Sequence, residues 1–90
     1  MLIGITGSTG VLGNKLIKSI NRKKYQISRF KGNITKQREL NDWFQKKNFD
    51  ILIHLAAVVP INDVNRDKKK AKKINYYGTQ NLIRCIKRFN

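Results

Sequence analysis

Ninety residues make one small domain, and a chain of this size buries only about 60–65% of the surface it exposes when unfolded. A hydrophobic content of 40% excludes intrinsic disorder despite a formal net charge of +15. A single cysteine, Cys85, excludes an internal disulfide framework and a multi-cysteine zinc site, and suits a reducing compartment.

No apolar run reaches the ~18 residues a membrane-spanning helix needs, so no membrane partner is expected. Met1 to Thr6 carry no basic segment ahead of an apolar stretch, so no secretory signal is read there. The expectation is a cytoplasmic protein. Its 14 lysines and 6 arginines are spread along the chain, and aromatic residues are not interleaved with them as a base-stacking surface requires. They read as a solvated lysine surface, with a basic nucleic-acid-binding protein as the alternative. Steeply salt-dependent DNA binding would mark that alternative.

Taken in chain order, Leu2-Ile3-Gly4-Ile5-Thr6 is a β-branched apolar run that stops at glycines, the pattern of a buried parallel strand. From Val11 to about Arg22, the residues Leu12, Leu16, Ile17 and Ile20 mark one face of a helix. Tyr25 to Phe30 reads as a second strand. Thr35 is placed to cap a second helix, with Glu39 one residue out of register for a capping box. Leu40, Trp43 and Phe44 form that helix's buried stripe. Phe49 to Ala57 is a near-continuous apolar run, read as a third strand covered on both faces. After a loop from Pro60 to Arg66, a last helix is expected from about Asp67 toward Phe89, burying Ile74, Tyr77, Leu82, Cys85, Ile86 and Phe89. No repeat, linker or domain boundary interrupts residues 1–90. The order β-α-β-α-β-α implies an α/β fold, a parallel sheet of about three strands with flanking helices.

Thr6-Gly7-Ser8-Thr9-Gly10-Val11-Leu12-Gly13 falls where the first strand hands over to the first helix. A tight turn there needs a residue that tolerates positive φ. Bare backbone lets a pyrophosphate approach the N–H groups at the helix N-terminus, where the dipole favours negative charge. The last glycine lets helix and strand pack closely. The spacing is Gly-x-x-Gly-x-x-Gly, distinct from the Gly-x-Gly-x-x-Gly fingerprint, and no Gly-Lys-Ser/Thr follows to make a Walker A loop. The position of the turn is what points to dinucleotide binding.

Four stretches together resemble the extended short-chain dehydrogenase/reductases, the NAD-dependent epimerase/dehydratase family. Thr6 to Gly13 resembles its TGxxGxxG loop, and Gly32-Asn33-Ile34-Thr35 its "GD-hydrophobic-T/S" segment. Asp50 to Ala57 resembles "DxVIHLAA", and Ile74 to Ile83 resembles "xNVxGTxNLL". The resemblance covers the whole chain and implies a Rossmann-type, NAD(P)-binding N-terminal part. It implies that Gly7, Ser8, Thr9, Gly10, Val11, Leu12 and Gly13 hold the pyrophosphate, and that Asn33 and Ile34 border the adenine. It also places Leu55, Ala56 and Ala57 along the ribose and nicotinamide, with Asn75 facing the nicotinamide half. Asn33 stands where members usually carry Asp; it keeps an acceptor oxygen for the adenine amino group but loses the charge. After the second strand, Ile27-Ser28-Arg29-Phe30-Lys31 has no carboxylate for a ribose 2′-hydroxyl. Arg29 is suited to clamp a 2′-phosphate, which favours NADP over NAD.

The family reacts through a Tyr-x-x-x-Lys pair. Here Tyr25 is followed four residues later by Arg29, Tyr76 by Gln80 and Tyr77 by Asn81. No catalytic residue is therefore assigned. The expectation is a cofactor-binding piece that catalyses nothing alone, its sugar-nucleotide or related carbonyl substrate met only in a longer form. A stand-alone regulatory nucleotide-binding module is the alternative.

Other features take plainer readings. His54 within an apolar strand is read as a satisfied structural histidine, Cys85 as a small buried hydrophobe, and Trp43 and Phe44 as helix core. Asp63 and Asp67 with Asn62 and Asn65 read as helix-capping loop residues, so no metal is expected. The block Lys68 to Lys73 reads as solvated.

Overall fold

The computed structural model describes residues 1–56 and 73–89. Strand β1 (Leu2–Thr6) leads into helix α1 (Val11–Ser19), β2 (Gln26–Arg29), α2 (Gln37–Lys46) and β3 (Ile51–His54). A π-helical turn (Lys73–Tyr77) then runs into α3 (Gly78–Phe89). The three strands are parallel in the order β2-β1-β3, with Leu2 opposite Gln26 and Thr6 opposite His54 at the ends of the two ladders. Parallel neighbours require crossovers, which the helices supply.

The β1 sequence explains its central place. Its side chains alternate between faces, and Ile3 and Ile5 are buried together with Ile17 of α1. Leu16, Ile20, Tyr25, Ile27, Ile53 and Leu55 close this aliphatic layer. The second core cluster is built from α2, α3 and the segment before α2: Ile34, Leu40, Phe44, Leu82 and Cys85 are buried, with Trp43, Phe49 and Phe89 packed against them. Trp43 lies 4.5 Å from Phe49 and 5.2 Å from Phe30 between ring centroids, and its indole N–H donates to Ser28 Oγ at 2.9 Å. A buried tryptophan needs such an acceptor to avoid an unpaired donor. The polar groups beside Cys85 are similarly knotted. Gln37 Nε2 donates to Asn81 O at 3.0 Å and lies 3.1 Å from Cys85 Sγ, while the thiol donates to Asn41 Oδ1 at 3.2 Å. Burial raises the thiol pKa, offset in part by the Gln37 bond and the Arg88 charge.

The fold class and the element order are those expected, with local differences. β2 and β3 are shorter than the apolar runs that mark them, and Ile51 is 41% exposed because β3 lies at an edge of the described sheet. Thr35 does not cap α2. The helix starts at Gln37 after Lys36, without a side-chain cap, and the Thr35 hydroxyl turns back to Asn33 Oδ1 at 2.7 Å. Tyr77 is 47% exposed rather than buried. A π turn takes more residues per turn than an α-helix, so the stripe Leu82–Cys85–Ile86–Phe89 cannot be extended backwards at α-helical spacing. Ala57, the Pro60–Arg66 loop, Asp67 and the lysines from Lys68 to Lys72 lie outside the described residues.

Candidate functional site

The carboxyl ends of the strands open onto a cavity of about 1340 Å³. Its floor is the turn after β1. Gly7 has φ +74°, the only positive φ among the described residues, and a side chain there would meet Ala56 N and the Leu55 carbonyl carbon at 2.6 Å. Gly10 N donates to Gly7 O at 3.3 Å, closing the turn. Gly13 then packs directly on the Gly7 carbonyl and the Ser8 backbone, leaving no room for a Cβ. Helix α1 thus begins hard against the loop, as the last glycine of the spacing implied.

The start of α1 is chemically open. Its N-cap residue, Gly10, makes no side-chain hydrogen bond to the helix, and the first turn holds no acidic residue. The first N–H groups of a helix have no intrahelical partner, so this end keeps donors and a positive dipole for an anion. Lys15, Arg29 and Lys31 line the same cavity, and among the described residues no carboxylate does.

Of the residues singled out in the sequence, Gly7, Ser8, Thr9, Gly10, Val11, Leu12, Gly13, Arg29, Asn33, Ile34, Leu55 and Ala56 all line this one cavity. Asn75 is exposed in the π turn and does not line it, although its neighbour Ile74 does. Ala57 lies outside the described residues. Sequence reasoning missed Lys15, Phe30, Lys31, Gly32 and Ile74 as cavity residues. Two of them carried a signal: Lys15 lies one helical turn beyond Val11, and Lys31 is two residues on from Arg29, on the same side of an extended chain.

The 33–36 segment is held by its own polar groups. Asn33 Oδ1 accepts from Thr35 N at 2.9 Å as well as from the Thr35 hydroxyl, Asn33 O accepts from Lys36 N, and Asn33 N donates to Glu39 Oε1 at 2.9 Å. The oxygen expected to be free for a ligand already takes two bonds, which leaves the Nδ2 donor. Outside the cavity lining, the half-buried His54 lies 2.6 Å from Thr6 Oγ1 through Nδ1 and 2.9 Å from Thr79 Oγ1 through Nε2, so both ring nitrogens are engaged as a structural histidine requires. Burial holds its pKa below the usual imidazole value. Among the described residues, no cluster of three or more His, Cys, Asp or Glu could hold a metal, and no helix is long and apolar enough to cross a membrane.

Comparison with known proteins gives this geometry relatives. The family model of the RmlD substrate binding domain matches residues 1–90. A dTDP-D-glucose 4,6-dehydratase of Dictyostelium discoideum is 32% identical over 74 residues, covering 82% of this chain and 16% of the dehydratase. The dTDP-4-dehydrorhamnose reductase of Bacillus anthracis, solved in complex with NADP, superposes with a TM-score of 0.86 at 28% identity, over 93% of this chain and 31% of the reductase. A UDP-glucose 4-epimerase of Thermus thermophilus, solved with NAD, shares the fold at a TM-score of 0.90 and 14% identity, over 99% of this chain and 34% of the epimerase. The chain thus spans about a third of the length of these solved relatives. It belongs to the RmlD substrate binding domain family, within the short-chain dehydrogenase/reductase-like proteins of Rossmann-type NAD(P)-binding fold.

Proposed function

We propose that this chain binds a nicotinamide dinucleotide in the cavity at the carboxyl ends of its strands, and prefers NADP to NAD. The observation that carries the reading is one cavity, lined among the described residues by the glycine turn, by three cations and by no carboxylate. Anions are favoured at an uncapped helix start, so Gly7 to Gly13 hold the pyrophosphate. Arg29 ends β2 and Lys31 follows two residues on; a guanidinium beside an ammonium favours a phosphate over a neutral hydroxyl. Asn33 and Ile34 border the adenine, with Asn33 Nδ2 offering a donor to its ring nitrogens. Leu55 and Ala56 wall the ribose and nicotinamide side, as do Ala57 and Asn75 in the family's pattern.

The cofactor supplies hydride chemistry; these residues bind and orient it. None of the tyrosines stands four residues before a lysine, so the 90-residue chain is expected to bind NADPH without oxidising it. In a longer protein that carries the acid/base pair, the same cavity would present the nicotinamide to a sugar-nucleotide or related carbonyl substrate. Calorimetric titration of the chain with NADP and NAD tests the reading. NADP should bind more tightly, and Arg29→Ala should remove about 1.5–3 kcal/mol of NADP binding, the range for a hydrogen bond to a charged group, while leaving NAD nearly unchanged. No binding of either nucleotide would sink the proposal.

A further inference from the structure

His54 is the only histidine in the chain, and cofactor binding as proposed gives it no task. Its two neighbours nonetheless determine which nitrogen carries the hydrogen. Thr79 Oγ1 donates its one proton to the Asn75 carbonyl at 2.9 Å. With its proton on that carbonyl it accepts from the ring, which assigns the N–H to Nε2, 2.9 Å away. Nδ1 then holds a lone pair and accepts the Thr6 hydroxyl at 2.6 Å. The Thr6 oxygen in turn accepts the Ala56 N–H at 3.3 Å. A neutral imidazole has one donor and one acceptor, and this chain of bonds needs one of each. Its direction runs unbroken from Ala56 N–H through Thr6, His54 and Thr79 to the Asn75 carbonyl.

The places it joins matter more than the bonds themselves. Thr6 immediately precedes Gly7, and Asn75 immediately follows Ile74; Gly7 and Ile74 both line the large cavity. We propose that His54 is a positioning residue, held as the neutral Nε2–H tautomer, that fastens the start of the last helix to the strand end carrying the glycine turn and so sets the separation of two walls of the cofactor cavity. The consequence for binding rests on the cofactor reading above; the tautomer does not.

A proton added to the ring goes to Nδ1 and turns the ring's one acceptor into a second donor. The Thr6 oxygen would then face two N–H donors, and its own proton would lose its acceptor. The groups that meet the ring from β1 and α3 are the two threonine hydroxyls, and among the described residues no carboxylate or cation hydrogen-bonds it. Burial alone disfavours its charged form. The relay is therefore intact at neutral pH and broken by acid.

Nitrogen NMR of the ring in the 90-residue chain, without any nucleotide, is the first test. A single Nε2–H tautomer is expected, and Thr79→Val, which removes the acceptor, should release it to a tautomer mixture. An Nδ1–H ring or an averaged mixture in the unaltered chain would overturn the proposal. NADP titration between about pH 5 and 8 is the second. Affinity should fall as His54 protonates. His54→Asn keeps an acceptor near the Nδ1 position, whereas His54→Gln reaches Thr79 with an N–H, so each retains half of the link. Each should weaken NADP about five- to tenfold, the loss expected for one part-buried hydrogen bond, and flatten the acid limb. Unchanged affinity and an unchanged pH profile in both variants would refute a positioning role. An unaltered chain that binds no NADP at any pH sinks the cofactor reading instead and leaves the tautomer result standing.

Discussion

Two loops line the same cavity and use their polar groups in opposite ways. In the turn from Gly7 to Gly13, the hydrogen bonds go to shaping backbone: Gly10 N to Gly7 O, and Asn14 Nδ2 to Thr9 O at 3.1 Å. The start of α1 is left with no side-chain cap and no carboxylate. In the loop after β2, a single residue gathers nearly everything. Asn33 takes two bonds from Thr35 and one from Lys36, and gives its own N–H to Glu39. The first loop leaves helix donors unused, as the proposed anion site requires; the second uses its acceptors on its own segment. A helix start with glycine in place of a capping side chain forgoes roughly a few tenths of a kcal/mol, a small cost where a ligand supplies the missing acceptor.

The largest expected effect comes from filling the first loop. Gly7→Val places a β-branched side chain at φ +74° and against the Leu55–Ala56 backbone. Left-handed strain of about 1–2 kcal/mol and a backbone clash of about 1–3 kcal/mol add to roughly 3 kcal/mol. In a domain this small, that lowers the melting temperature by more than about 10 °C and abolishes NADP binding. Thermal unfolding followed by circular dichroism checks the first part. A Gly7→Val chain as stable as the parent would mean that the turn is not held as described.

Acid should act next, through the His54 relay. The His54 pKa is depressed in the folded chain by burial, so the folded state binds its proton less readily than the unfolded state. The stabilisation from the neutral ring is therefore complete above the ordinary imidazole value of about 6.5. It is lost as pH falls through the lower folded value. Urea unfolding at a series of pH values should show the midpoint declining below pH ~6.5, and His54→Gln should remove that part of the slope. A slope identical in both chains would assign the acid sensitivity to the carboxylates.

Much of this was legible in the sequence, because strands and helices announce themselves by period and the glycine turn by its place between them. Twelve of the fourteen residues singled out line one cavity, since parallel strands deliver their carboxyl ends to one edge whatever the details of the loops. What escaped were features set by geometry beyond the local pattern. Tyr77 fails because a π turn shifts the phase of a helix without changing its composition. Thr35 looks like a helix cap, but Asn33 two residues earlier offers a better acceptor, and Asx turns compete with caps for the same donors. The His54 relay joins residues 6, 54, 75 and 79, and no spacing in the chain foretells it.

The smallest effect sharpens the comparison at its other end. Family members usually carry Asp where this chain has Asn33, and the second loop gives a reason why Asn fits here. Glu39 Oε1 already sits 2.9 Å from Asn33 N. Asn33→Asp would keep both bonds from Thr35, since a carboxylate oxygen accepts as the amide oxygen does, but would set a second negative charge beside Glu39. For exposed charges that repulsion costs about 0.2–1 kcal/mol, screened by salt. The variant should be slightly less stable at neutral pH and low salt, and should match the parent in high salt or once the carboxylates are protonated. Glu39→Gln should cancel the loss, because an amide oxygen still accepts the N–H of residue 33 and carries no charge. If Asn33→Asp instead proves more stable at low salt, the surrounding cations outweigh Glu39, and the contrast between a loop open to anions and a loop closed on itself fails at this position.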